Sequence, residues 1–272
     1  MSDFPLRVVG PRWMAADLGG IHDYGTDVPE APCAFWCSGA HLARLQASGF
    51  PIRFSTPGGM VPVAALPAAL RGRRIITGTA DQLSHVASVL KLPVWVKPND
   101  LKLAQLPAVR AGNRDELALA ARTFSAGGRD ELMLAVSESL EIGVEVRHVV
   151  LDAQVRCSDV YADGAGRFGR EAARAHPTPR PAVCAAEAAI AAWQHSGYAM
   201  PRAYVIDTAL TPAGWIVLET NPVASSGWFS WTPPPVLAEA IRAGQNGEPV
   251  FDWSDPADFL IAHPLFGRRS AD

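Results

Sequence analysis

The stretch that most constrains this chain is residues 203–221, AYVIDTALTPAGWIVLETN. Two runs of β-branched and aromatic residues, Tyr204-Val205-Ile206 and Trp215-Ile216-Val217-Leu218, flank a break at Pro212 and Gly214, a pattern that predicts a β-hairpin. A three-residue turn, Pro212-Ala213-Gly214 with a left-handed glycine, pairs Thr211 with Trp215. Counting back from that pair sets Asp207 opposite Glu219, and Asn221, two residues on, points to the same side. Carboxylates facing each other across a ladder repel, so the pattern calls for a cation between them. Mg²⁺ suits it, because this ion takes one or two carboxylates plus phosphate oxygens, and asparagine adds a neutral oxygen. The plainer alternative is that Asp207 opens a turn and Glu219-Thr220-Asn221 is an exposed strand end.

Composition narrows the field. At 272 residues the chain can form one large domain or two to three small ones, each with a buried core. A formal net charge of −3 gives no bias toward polyanions, so nucleic acid is not an expected partner. No apolar run reaches membrane-spanning length, and MSDFPLRVVG lacks the apolar centre of a signal peptide. The four cysteines, at 33, 37, 157 and 184, form neither a disulfide framework nor a zinc pattern, which suits the cytoplasm. The basic residues are 21 Arg and only three Lys, and Lys91, Lys97 and Lys102 fall within twelve consecutive positions. A compact ammonium in place of a planar fork is one reason for such clustering; chance is the other.

Along the chain, residues 1–75 read as short strands and loops broken by Gly and Pro, with a helix near 41–48. His22, Asp23 and Tyr24 fit either a substrate-facing cluster or a solvated loop. Ile75-Ile76-Thr77 reads as a strand, and Thr79 with Gln82 forms a capping box that opens a helix running to about Leu90. Val94-Trp95-Val96-Lys97-Pro98 is a strand that delivers Lys97 at its end, where it is either a phosphate contact or a surface lysine. A helix over 114–123 precedes a buried strand over 132–136, interrupted by Ser137-Glu138-Ser139. Pro181 opens an alanine-rich helix, and the prolines at 233–235 end the segment before a short helix over 236–243.

A second hairpin spans 142–163. A two-residue loop at Asp152-Ala153 puts Glu145, Arg147, Arg156 and Ser158 on one face, with His148 and Val150 on the other. That charged face suits either an anionic ligand or solvent.

Lysine at a strand end, an acidic break after a buried strand, Glu-x-Arg on one hairpin, then Asp and Glu-x-Asn on another: in this order the residues resemble the ATP-grasp superfamily. The likeness spans 94–227 and is nearest to small bacterial and phage members in which lysine replaces an arginine. It implies an α/β fold in which two α+β lobes grip nucleotide, preceded by a small N-terminal α/β domain. The expected division is 1–92, then 93–235 split into lobes 93–142 and 143–235, then a tail over 236–272. The resemblance assigns Lys97 to ATP phosphate, the backbone of Ser137, Glu138, Ser139 and Leu140 to adenine, and Glu145 to ribose. It gives Asp207, Glu219 and Asn221 to Mg²⁺, and Arg147 to the phosphate or substrate side. Val205 stands where many members carry an arginine, and Lys102 would replace it, with Arg156 as a further catalytic cation. The loop NDLKLAQLP after Lys97 lacks the glycines of a flexible phosphate cover.

The activity so implied is ATP-dependent ligation of a small-molecule or peptide carboxylate to an amine through an acyl phosphate. A non-ligating ATP-binding or protein-modifying partner and a divalent-metal hydrolase on Asp207, Glu219 and Asn221 stay open.

Overall fold

The computed structural model describes residues 4–25, 29–39, 41, 45, 48–50, 55–86, 89–99, 107–125, 132–168, 175–228, 232–246 and 251–252. The N-terminal region builds a parallel sheet from β1 (Leu6–Val9), β2 (Ile21–Asp23) and β3 (Ala34–Trp36), in the order β2-β1-β3. These strands are too short for period-two alternation to stand out in the sequence. The helix Arg12–Asp17 leads from β1 to β2 and buries Met14 and Ala15. Gly39, His41 and Leu45 are helical; most of the helix expected near 41–48 lies outside the described residues. A small two-stranded piece, β4 (Ser55–Thr56), receives its partner from the far end of the chain.

An antiparallel sheet follows, of β5 (Ile75–Gly78), β6 (Val94–Pro98), β7 (Val109–Ala111) and β8 (Leu134–Glu138), in the order β5-β8-β6-β7. Its helices are fixed by reciprocal caps. Thr79 N–H donates to Gln82 Oε1 at 2.9 Å and Gln82 N–H to Thr79 Oγ1 at 3.4 Å, so the helix Ala80–Val86 starts where the capping box predicts. At the start of the helix Arg114–Ser125, Glu116 N–H donates to Asn113 Oδ1 at 2.9 Å, and the Glu116 carboxylate accepts from Gly112 N–H and Asn113 Nδ2, each at 2.7 Å. Leu83, Leu117, Ala120, Ala121 and Phe124 pack on Val94, Val96, Leu134 and Val136 to make the core of this lobe. β5 belongs to this sheet, on the N-terminal side of the division expected at 92/93. Ser137 and Glu138 continue β8 instead of interrupting it, because Ser137 pairs with Ile75 on one side and Trp95 on the other.

The larger sheet is antiparallel, in the order β11-β10-β9-β12-β13: β9 (Glu145–Leu151), β10 (Gln154–Asp163), β11 (Gly166–Arg167), β12 (Ala203–Thr211) and β13 (Gly214–Asn221). The helix Arg180–His195 covers one face, burying Ala186, Ala189, Ile190 and Trp193 against Tyr204, Ile206 and Val217. The other face meets β1, β3 and the helix Pro234–Asn246 through Leu6, Val8, Val205, Leu237 and Ile241. The prolines here open that helix instead of ending a segment, since its first turn needs no proline N–H. Gln245 locks it to β3, accepting from Phe35 N–H at 2.7 Å and donating to Phe35 O at 2.6 Å. β14 (Phe251–Asp252) pairs with β4. Among the described residues, no helix is long and apolar enough to cross a membrane. None of the four cysteines is in a disulfide.

Both hairpins of the large sheet carry a β-bulge that alternation alone does not reveal. In β12–β13 the turn has two residues, so Thr211 pairs with Gly214 and Thr208 with Val217. Leu218 is then skipped, which restores Asp207 opposite Glu219. In β9–β10 the turn is the expected Asp152-Ala153, with both residues left-handed at φ 51° and 57°, the type I′ geometry. Arg156 is the extra residue of a bulge there, so Ser158 lands opposite His148 and Asp159 opposite Arg147. Ser158 therefore does not share the Arg147 face. Its hydroxyl lies 2.7 Å from His148 Nδ1, while His148 Nε2 lies 2.8 Å from Thr208 Oγ1, inside a core that pushes the imidazole pKa down to about 3.

Candidate nucleotide and metal site

One residue from each of four adjacent strands forms a charged row across the large sheet. In register order it runs Asp159 on β10, Arg147 on β9, Asp207 on β12 and Glu219 on β13. Lys97, at the end of β6, closes the row from the smaller lobe with Nζ 2.7 Å from Glu219 Oε2. The signs alternate except at Asp207 and Glu219, the pair that the sequence places face to face.

Each member of that pair has its own cation. Arg147 grips Asp207 with two parallel bonds, Nε to Oδ1 at 2.8 Å and Nη2 to Oδ2 at 2.7 Å. Both are deeply buried, Asp207 at 0% and Arg147 at 7% exposure. The adjacent carboxylates hold the guanidinium pKa above its ordinary value despite burial. The repulsion expected from sequence is thus offset within the protein by Arg147 and Lys97. Between the two carboxylates sits the Asn221 amide, donating from Nδ2 to Asp207 Oδ2 and Glu219 Oε1 at 3.2 Å each. Half a turn about the amide torsion would present its oxygen to the two carboxylates' side instead. The three side chains therefore fit a hard divalent ion with oxygen ligands. Among the described residues, no group of three or more His, Cys, Asp or Glu could hold a metal by itself. Further ligands would have to come from a bound phosphate or water.

Glu145 belongs to the same electrostatic cluster. Burial raises its pKa, and Asp207 and Glu219 raise it further, against a hydrogen bond donated by Tyr161 OH. Arg147 Cζ lies 5.1 Å from the Tyr161 ring centroid, so the aromatic ring backs the guanidinium while its hydroxyl reaches Glu145.

The four residues between the lobes are partly committed to structure. Glu138 N–H donates to Arg74 O at 3.1 Å and Ser139 N–H to Pro93 O at 3.0 Å. The Glu138 carboxylate accepts from the N–H of Arg74 and of Lys91, at 3.0 and 2.8 Å. With Ser137 inside the ladder, Leu140 is the one that follows the last of these pairings. Arg156 is not brought to the row; it is exposed on its bulge, near the Asp152 turn, where its charge helps to lower the Asp152 pKa. Lys102 lies outside the described residues.

Sequence reasoning missed Arg73. The preceding Gly72 ends the helix Ala68–Arg71 in a left-handed conformation, and a Cβ there would stand 2.6 Å from Ile216 Cγ2, so only glycine brings this segment against β13. Arg73 is consequently buried, donating to Val217 O at 3.3 Å, Leu218 O at 2.6 Å and Arg71 O at 3.1 Å. Burial pulls its pKa down to about 10, while Glu219 opposes the drop. The two β13 carbonyls are those of the bulge. Without the bulge, the two-residue turn would rotate Glu219 and Asn221 to the opposite face, so Arg73 positions the site through the backbone. Nothing in the run Arg71-Gly72-Arg73-Arg74 distinguishes this residue from a solvated one. Arg73→Gln is expected to lower stability by about 1–3 kcal/mol, the cost of an unsatisfied buried carbonyl. It should also shrink the Mg²⁺-dependent part of nucleotide affinity about tenfold, with Arg73→Lys retaining more of it. Titrations with and without Mg²⁺ check this; a stability loss with normal Mg²⁺ dependence would confine Arg73 to the fold.

A lysine from one antiparallel sheet thus meets a carboxylate row on another. A family of the ATP-grasp domain, the second family of its clade, matches residues 70–238, and the chain belongs to it. Among solved structures, it is similar to the D-cycloserine synthetase DcsG, with 15% identity, 88% of this chain and 99% of the other covered, and a TM-score of 0.51. It is also similar to a RimK domain protein ATP-grasp from Sphaerobacter thermophilus DSM 20745, with 13% identity, coverage of 88% and 99%, and a TM-score of 0.50. The D-alanine–D-alanine ligase from Bacillus anthracis matches at 13% identity, coverage of 88% and 96%, and a TM-score of 0.48. No curated protein matches the sequence. At these identities the first two structural matches show a likeness of fold alone.

Proposed function

We propose that the protein is a cytoplasmic, ATP-dependent carboxylate–amine ligase acting on small-molecule or peptide substrates through an acyl phosphate. The observation that carries this reading is the convergence of Asp207, Glu219 and Asn221 with Lys97 from the facing lobe. Asp207, Glu219 and Asn221 would hold Mg²⁺, which when bound neutralises phosphate charge and aligns the phosphoryl group. Lys97 exchanges Glu219 for a phosphate oxygen, and Arg147, fixed in place by Asp207, sets its positive charge against developing oxyanion charge. Glu145 accepts from the ribose hydroxyls, and the backbone at Leu140 meets the adenine edge. A substrate carboxylate oxygen attacks the γ-phosphorus, the bridging P–O bond breaks and ADP leaves. The amine nitrogen then attacks the acyl carbon, releasing phosphate and a proton.

The test is ADP release from Mg²⁺-ATP across a panel of amino acids and peptides. Release that requires both a carboxylate and an amine is expected. Nucleotide binding without turnover of any pair would favour a non-ligating ATP-binding protein, and hydrolysis without ATP would favour a metal hydrolase.

A further inference from the structure

The parallel sheet β2-β1-β3 changes direction at β1: the chain leaves β1 for one neighbour and returns to the other side for β3. In open parallel sheets, ligands sit outside the carboxyl ends of the strands at such a point. Here those ends carry Arg12 and Trp13 just after β1, Tyr24 after β2 and Trp36 at the end of β3. Trp13 and Tyr24 stay open to solvent, at 44% and 70% exposure. Tyr24 is nonetheless held in place. Arg12 Nη2 donates to its hydroxyl at 2.5 Å, and the His22 and Tyr24 rings stand perpendicular with centroids 4.8 Å apart, with His22 Nε2 lying 2.9 Å from Gly10 O.

These strand ends are joined to the carboxylate row through one segment, 222–228, which begins immediately after Asn221. Cys37 N–H donates to Ala224 O at 3.0 Å, Trp36 Nε1 donates to Ser226 O at 3.0 Å, and the Trp13 and Trp228 rings lie 5.6 Å apart. Between them, Gly227 O accepts from Arg147 Nη1 at 3.4 Å.

We infer that Arg12, Trp13 and Tyr24 select the amine substrate, and that it is an aromatic α-amino acid. The inference rests on the ligase reading for the role of this substrate, though not for its binding. Two exposed rings offer faces and edges to a third ring. Arg12 commits one of its five donors to Tyr24, and its planar fork matches a carboxylate. A carboxylate held there keeps its own oxygens, which leaves the α-amine to react.

The test is calorimetric titration of the full chain with L-phenylalanine, L-leucine and phenethylamine, in the presence of Mg²⁺ and a non-hydrolysable ATP analogue. L-Phenylalanine is expected to bind at least tenfold tighter than the other two. Trp13→Ala and Arg12→Gln, both at exposed positions, should each weaken it at least tenfold and leave the affinity for the analogue at the wild-type value. Absent binding, equal binding of leucine, or binding that neither variant changes would overturn the inference. If the analogue itself fails to bind the wild type, the ligase reading falls, and the same titration without nucleotide still decides whether these residues bind the amino acid.

Discussion

Asp207→Ala is expected to destabilise the protein by about 3–5 kcal/mol, the cost of breaking a buried ion pair by removing one partner. The Arg147 guanidinium has little access to water, and its bidentate bond to Asp207 provides its strongest compensation. Glu219→Gln should cost far less, about 1 kcal/mol or below, because Lys97 keeps roughly a quarter of its side chain in solvent and can turn outward. Replacing Arg147 and Asp207 together with apolar residues of similar volume should recover most of the Asp207→Ala loss. Urea unfolding of the three variants measures this. Equal, small losses for Asp207→Ala and Glu219→Gln would mean that the row is held together differently.

Lys97→Ala is expected to weaken binding of a non-hydrolysable ATP analogue ten- to a hundred-fold, corresponding to a charge-assisted contact of about 1.5–3 kcal/mol. Lys91→Ala is the control. It lies six positions earlier, its side chain is exposed, and its backbone N–H donates to Glu138. Both variants should keep near-wild-type stability, so a difference in affinity reports the site and not the fold. Equal affinities for the two variants would remove Lys97 from the nucleotide.

Much of this site is legible in the sequence, in part for the wrong reason. The facing of Asp207 and Glu219 follows from counting back through a three-residue turn, yet the turn has two residues and the missing step is supplied by the bulge at Leu218. Two errors cancel. In the neighbouring hairpin the turn is as the sequence predicts, but alternation hides the bulge at Arg156, so the faces diverge beyond it. Ser158 lies on the His148 side, and Asp159, unremarked in the sequence, takes the place beside Arg147. A bulge leaves no mark on alternation when its cause is distant. The one in β13 is held by Arg73, about 145 residues away. For the same reason nothing in the sequence hints that Lys97 and Arg147 already neutralise the carboxylates, since both pairings cross between elements. The capping box at Thr79 and Gln82, by contrast, lies within four consecutive residues and can be read directly.

In the proposed site, Asp207, Glu219 and Asn221 seat a divalent ion which joins the protein to nucleotide phosphate. Titration of the wild type with a non-hydrolysable ATP analogue, first with Mg²⁺ and then with the metal chelated, tests it most directly. Binding at least tenfold tighter with Mg²⁺ is expected, a gap that Glu219→Gln closes. Equal affinity in both conditions, or a gap that survives in Glu219→Gln, would contradict it.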